Sequence, residues 1–539
     1  MRTEIFVAIF AASTWTVISV SAAAATTLAA AGASPVMDLR AVEAPVSAEA
    51  AAPVSPLVSS PSPPPDEELQ IRLSLTRTGV QTGIGLVAGF AWYWRNMNFN
   101  RQDWDLGWDV PSWKLKLTTL QAFRFDTNDF VTNAQDHSRA GVAYYLVGRA
   151  NGLSLPAAFA LDVAATLSWE YLVEFREMVS INDVVINSAS GPAIGEPLLQ
   201  IGRFFRRGRP TVLSRMLAAL FSPFDELNGW LDGRPWQGGD DADSLGFSNE
   251  RPHRLQMFAS GRATNFATGQ GRTDTTFGID LEVVSQRGAG APGRWIGWTR
   301  SGDISRLTTT FTFGNDARWL GTIFHTATSL IGQRRQDVEG DGLSGSRKGF
   351  SLFLGAGTGF DFSTRTLAGE QDRLAVMNLV GPLLDLTLYR GATRLRLQMG
   401  AYGDFAMVDS HALGPNSRAD PLPPLTGVVR AQGYYYGYGA TGVVRVLAEC
   451  CWWKVDAEIR AHHFDSFDGP NRFDSPLDDA FRDLSDERLF TLAQLAFHPW
   501  NGPLGMGAYV EWIGRRGTMG QLERSSREAS IGLRATLSH

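Results

Sequence analysis

Cysteine is nearly absent: the 539 residues include two, Cys450 and Cys451, adjacent in sequence. Neighbouring side chains on a strand point to opposite faces and a vicinal disulfide is strained, so no disulfide framework organises this chain. A basic stripe is missing as well. Lys and Arg number 49 against 55 Asp and Glu, mixed along the chain to a net charge of −6, which excludes a surface that tracks nucleic acid. Long apolar runs are scarce. The most apolar helical stretch, Leu155 to Met178, is interrupted by Asp162 and crowded by Glu170, Glu174 and Glu177. It falls short of the ~20 residues a spanning helix needs and reads as a buried helix. Three catalytic signatures are also lacking. There is no His-Glu-x-x-His and no Gly-x-Ser-x-Gly, and Gly83-Ile84-Gly85 has neither the third glycine nor the βαβ pattern of a nucleotide loop.

What is present begins with an export pattern. Met1-Arg2 is basic, Ile5 to Val20 is apolar and almost uncharged, and Ser21 to Ala25 is a run of small residues. Residues 1–25 read as a cleaved secretory signal, the alternative being a retained anchor helix. No cysteine lies near the cleavage region, which disfavours a lipoprotein. Residues 26–66, rich in Ala, Pro and Ser, read as a flexible spacer that cannot bury enough apolar surface to order itself.

Residues 67–231 carry a mixed pattern with helical periodicity over Ser138–Ala150, Leu155–Met178, Pro192–Phe205 and Thr211–Leu220. Ser154 before Leu155-Pro156 predicts a helix cap. Thr82 to Trp94 fits either a first barrel strand or a buried helix. A Gly- and Asp-rich linker at 232–250 follows, and beyond it the period changes to two. Phe277, Ile279, Leu281 and Val283 alternate with Gly278, Asp280 and Glu282. The same alternation recurs over Arg394–Met399, Lys454–His462 and Glu528–Leu537. With aromatic clusters at Tyr434-Tyr435-Tyr436 and Trp452-Trp453, residues 251–539 read as an antiparallel outer-membrane β-barrel of about ten to twelve strands, the helical segment plugging it or packing beneath it. A soluble sandwich or propeller is the competing fold. Outer-membrane lipid and the barrel assembly machinery are the expected partners. The last strand resembles the signal that machinery reads, although it ends in His539 instead of an aromatic residue. Lumenal Arg394, Arg396, Lys454, Asp456, Glu458 and Arg460 either serve a polar solute or pair with one another and close the pore.

Chemistry is expected between Phe125 and Glu196. His137, Gly141, Tyr144 and Gly148 share one helical face, and Glu170, Glu174 and Glu177 share another. The two glycines permit close approach of a second helix, which would bring His137 to the glutamates. His137, Glu170, Glu174 and Asp183 are therefore the candidate catalytic residues. Asp126, Asn128, Asn133, Tyr144, Arg149, Asn151, Glu177, Asn182 and Glu196 are candidates for binding. A histidine among carboxylates can hold a cation or share proton transfer, but no metal-binding signature is present and no cofactor is indicated. The alternatives are a structural polar network and a solvated stripe paired with Arg149 or Arg176.

These residues resemble a bacterial family known as domain of unknown function 3943. The resemblance spans Phe123 to Gly229 and is carried by Asp126-Thr127-Asn128, Asn133 with His137, Gly141 with Tyr144-Tyr145, Arg149 with Asn151-Gly152, Trp169-Glu170, and Ser180-Ile181-Asn182-Asp183 with Gly195-Glu196. Ser138, where the family carries proline, departs from it. The resemblance implies a Gram-negative envelope protein and assigns no activity. The expected functions are transport, binding or maintenance in the envelope, with a lipid-directed membrane enzyme as the alternative.

Overall fold

A computed structural model describes residues 71–96, 106–236 and most of 242–538. The signal and spacer at 1–66 lie outside the described residues. The helical part comprises α1 (Leu75–Asn96), α2 (Val110–Thr118), α3 (His137–Ala150), α4 (Leu155–Ser168), α5 (Ile181–Ser190), α6 (Glu196–Arg206), α7 (Val212–Phe221) and α8 (Pro223–Leu231). Two short strands, β1 (Phe123–Arg124) and β2 (Val179–Ser180), pair in parallel between them. Caps start the helices where the sequence provides them. Asp109 accepts from Ser112 N at 2.8 Å, Ser154 from Ala157 N at 3.4 Å, and Thr211 from Ser214 N at 3.1 Å.

The strands are β3 (His253–Phe266), β4 (Gly271–Val284), β5 (Gly293–Thr299), β6 (Ile304–Gly314), β7 (Trp319–Gly340), β8 (Arg347–Leu367), β9 (Glu370–Gly391), β10 (Thr393–Asp409), β11 (Tyr434–Cys450), β12 (Trp453–Ser466), β13 (Leu484–Phe497), β14 (Leu504–Met519) and β15 (Leu522–Ser538). Each pairs antiparallel with its neighbours; β15 pairs with β3 and β7 with β8, so the sheet closes into a twelve-stranded barrel. The short β5 lies alongside the second half of β7. Period-two alternation is the cause: on β4, β10, β12 and β15 the polar set faces one side and the apolar set the other.

Which side is inside follows from the ion pairs. Arg306 on β6 reaches Glu458 on β12 at 2.9 Å, Arg445 on β11 reaches Asp280 on β4 at 3.0 Å, and Arg254 on β3 reaches Asp456 on β12 at 2.9 Å. Strands that are not neighbours can meet only across the lumen. The charged rows therefore face inward, and they pair there: Arg445 also holds Asp456 at 2.6 Å, Arg460 holds Glu458 at 2.8 Å and Asp361, and Arg488 and Arg515 hold Asp372 at 2.8 and 2.9 Å. One cavity among these side chains is about 180 Å³, and another of about 190 Å³ is lined by Arg254, Arg394, Lys454 and Asp456.

The helices occupy neither position expected for them. Leu281, Leu307, Phe360, Met377 and Phe405 lie at outward registers, alternating with lumenal Asp280, Arg306, Asp361, Asn378 and Asp404. These outward residues are buried in one core with Phe125, Phe130, Leu199, Phe204 and Phe205 of the helical part. Thr326, also outward, donates to Ala193 O at 2.8 Å. The helical part is thus a layer against the barrel's outer wall, across β4 to β11, instead of a plug or a periplasmic cap. The physical reason is that the lumen is lined by paired charged side chains, whereas the wall offers an apolar stripe. Thr82–Trp94 is part of α1, so it is not a barrel strand. The Leu155 helix is shorter than expected. It ends at Ser168, and a π-helical turn, Trp169–Val173, takes over.

Candidate functional site

The polar cluster forms where α3 crosses α5. Gly141 lets the backbones touch: a Cβ there would lie 1.9 Å from Asn187 O. One turn earlier on each helix, His137 Nε2 comes to 3.4 Å from Asp183 Oδ1. The glycine does permit the expected close approach, but the helix it admits carries Asp183 and not the glutamates. The π-helical turn then brings Glu170 and Glu174 in from another side. Asp126, His137 and Asp183 present ligand atoms all within 4.8 Å of one another, and Glu170, Glu174 and Asp183 form a second such group.

Hydrogen bonds fix each member. Asn182, fully buried, accepts from Asp126 N at 3.0 Å through Oδ1 and donates to Asp183 Oδ1 at 2.7 Å. Asp126 accepts from Asn133 Nδ2 at 2.7 Å and from Asn128 Nδ2 at 2.9 Å. Glu170 Oε2 accepts from Ser180 N at 2.8 Å, and Glu174 Oε1 from Trp169 Nε1 at 2.9 Å. Glu177 takes the hydroxyl of Tyr93. Lys116, buried, donates to the carbonyls of Glu170, Glu174 and Glu177 at 2.5, 2.7 and 2.8 Å, stapling the turn.

The barrel wall completes the cluster. Tyr436 donates to Asp126 Oδ1 at 2.9 Å and Tyr434 to Asn128 O at 2.8 Å, while the Asn133 amide meets both hydroxyls at 2.7 and 2.8 Å. Phe125 stacks on Tyr436 with ring centroids 4.9 Å apart. These tyrosines and Lys116 were missed. The signal was the Tyr434-Tyr435-Tyr436 triplet, whose alternation sends Tyr434 and Tyr436 outward while Tyr435 turns inward to Asp486.

Four expected residues lie elsewhere. Arg149 and Glu196 form their own buried knot, at 2.9 and 3.1 Å, with Tyr145 donating to Glu196 at 2.6 Å and Gln200 at 2.8 Å. Asn151 clamps the layer's edge, taking Arg77 Nε at 2.7 Å and donating to Gln81 at 2.6 Å. Tyr144 is buried on α3 facing Asp162, whose carboxylate oxygens, also buried, have no hydrogen-bond partner. At the rim, hydrogen bonds from Arg77, at 2.6 and 3.0 Å, hold the Asp232 carboxyl below its ordinary range.

Several buried atoms of the cluster have no hydrogen-bond partner: His137 Nε2, Asn133 Oδ1 and Asn187 Oδ1. Buried polar atoms are usually satisfied, so these three have hydrogen-bonding capacity left for a further group.

The architecture defines a class: a closed antiparallel barrel with a helical layer on its outer wall. Within it, residues 122–224, which carry Asp126, His137, Glu170, Glu174 and Asp183, match the model of DUF3943, a domain of unknown function. No curated protein matches the chain. Among solved structures, a loop-deletion mutant of OmpT, an outer membrane protein of Vibrio cholerae, is 6% identical, with 54% of this chain and 100% of that one covered at a TM-score of 0.21. The translocator domain of the autotransporter NalP from Neisseria meningitidis is 11% identical, covering 52% and 87% at 0.18. OccK1 of Pseudomonas aeruginosa is 9% identical, covering 53% and 99% at 0.14. Similarities of this size carry no argument about function.

Proposed function

We propose that this is an outer-membrane protein in which the barrel is a closed anchor and the helical layer holds the working site, a buried cation-binding cluster of Asp126, His137 and Asp183. The barrel's uncovered exterior supports the membrane seating: Val510, Ile531 and Leu533 are exposed by 51%, 62% and 72%, opposite a charged lumen. The observation that carries the site is convergence: Asp126, His137 and Asp183 bring their ligand atoms within 4.8 Å of one another, and the buried His137 Nε2 has no hydrogen-bond partner. One imidazole and two carboxylates suit a borderline divalent cation such as Zn²⁺.

The test uses the refolded full chain. Titration calorimetry with Zn²⁺ should give one site, lost in Asp183→Asn while heat-modifiable gel migration is unchanged, and planar bilayers should show no conductance. Equal Zn²⁺ binding by wild type and Asp183→Asn would refute the site. Steady conductance would refute the closed anchor. A second reading has its own support: Glu170 and Glu174 meet Asp183, a carboxylate pairing suited to acid and base roles at a lipid. Release of fatty acid from vesicles by wild type but not by Glu170→Gln would favour it.

A further inference from the structure

A helix that covers a protein in water turns its apolar face inward. Two helices of this layer do the opposite, and a third leaves large apolar side chains exposed. α1 buries Thr78, Gln81 and Thr82 and exposes Leu75, Val80, Ile84, Val87 and Phe90. α4, expected to be a buried helix, buries Asp162 and Thr166 and exposes Phe159, Ala160, Ala164 and Leu167. α7 keeps Ala218 and Phe221 in the core beside Ser214 and exposes Val212, Leu213 and Met216.

The pattern has membrane dimensions. α1 has 22 residues, about 33 Å along its axis, against about 30 Å for a hydrocarbon core. Between Arg77 and Arg95 it carries no charge. Aromatic residues mark both ends. Trp94, Trp108 and Trp113 gather round Phe175 beyond the α1 C-terminus, and Trp230 stands beside the Arg77–Asp232 pair at the other. Tryptophan at both ends of an uncharged face is the arrangement of a bilayer's two interfaces.

We infer that the outer face of the helical layer is a lipid-contacting surface, with the layer lying in the bilayer beside the barrel and acyl chains as its partner. The inference rests on the membrane seating proposed above. The surface continues the barrel's own exposed belt, since Leu354 and Leu388 stand open on β8 and β9, strands whose other halves the layer covers. No helix of the described residues is long and apolar enough to cross a membrane by itself. α1 turns its polar residues inward, Gln81 meeting Asn228 and Asn151 of the layer, so its apolar side is left outward.

The experiment is lipid quenching of a bimane label. Single cysteines are placed at Val87 and Phe159 on the layer, at Leu533 on the bare wall and at Asp316 in a rim turn, all in full-length chain carrying Cys450→Ser and Cys451→Ser. Each is refolded into vesicles with and without dibrominated phosphatidylcholine, and Ile84 and Ala164 replace either layer position if its variant loses heat-modifiable migration. The expected result is a loss of fluorescence at Val87 and Phe159 equal to that at Leu533, with none at Asp316. Quenching at Leu533 alone would overturn the inference and leave the membrane seating standing. Absence of quenching at Leu533 as well would remove both.

Discussion

Replacing Gly141 by alanine tests the helix crossing that builds the cluster. The added Cβ would sit 1.9 Å from Asn187 O and 2.4 Å from Ser190 Oγ, where ordinary contact begins at 3.4 Å. Both obstacles belong to α5, and one is backbone, so α3 and α5 must part by about 1.5 Å. His137, one turn away, would move from 3.4 Å to about 5 Å from Asp183, beyond hydrogen-bond reach. Overpacking of this kind costs about 3 kcal/mol, of which alanine's helix propensity returns about 1, leaving about 2 kcal/mol of destabilisation. Gly83→Ala is the control, because its Cβ meets nothing within 4 Å; it should stabilise α1 by about 1 kcal/mol. Native-state amide exchange over 137–150 and 181–190 reads the difference: Gly141→Ala should speed exchange about 30-fold, and Gly83→Ala should not speed it at all. Unchanged protection of both helices in Gly141→Ala would refute the close crossing and, with it, the His137–Asp183 geometry.

Arg445→Ala removes the cation shared by Asp280 and Asp456 and should cost the barrel about 3–5 kcal/mol, seen as a lower temperature for the heat-modifiable gel shift. Tyr436→Phe deletes the hydroxyl at 2.9 Å from Asp126 and should weaken docking of the layer by about 1–3 kcal/mol, read as faster proteolysis within 122–224 while the barrel stays protected. Lys116→Met leaves three carbonyls without their donor and should raise exchange at residues 174–177 selectively. The Asp232 carboxyl is held below its ordinary range, so the Arg77 tether stabilises above that range and is lost as pH falls through the lowered value. Asp232→Asn should abolish this acid-side loosening of α1, measured by exchange at residues 75–82.

The barrel was legible because alternation needs no partner to be seen. Phe277–Val283, Leu395–Met399, Val455–Ala461 and Ala529–Leu537 lie in β4, β10, β12 and β15 with their apolar members outward. The helical layer was harder to read, since assigning a buried face from sequence presumes which solvent surrounds it. For α4 that presumption turned the helix around: its apolar face is exposed and Asp162 is buried. Asp183 was named, but α5 itself was not, because Asn182, Asp183 and Asn187 look like loop chemistry until tertiary contacts bury them. The tyrosines at 434 and 436 are about 300 positions from Asn133, a separation that no local pattern records.

Photo-crosslinking decides the central claim, that the helices lie on the outside of the barrel. Benzoyl-phenylalanine is placed at Met377, outward and buried beneath the layer, and separately at Asp361, which points into the lumen toward Arg460. The account predicts crosslinks from Met377 to peptides within 122–224, and from Asp361 to barrel peptides alone. Crosslinks from Asp361 to residues 122–224, with none from Met377, would place the helices in the lumen and contradict it.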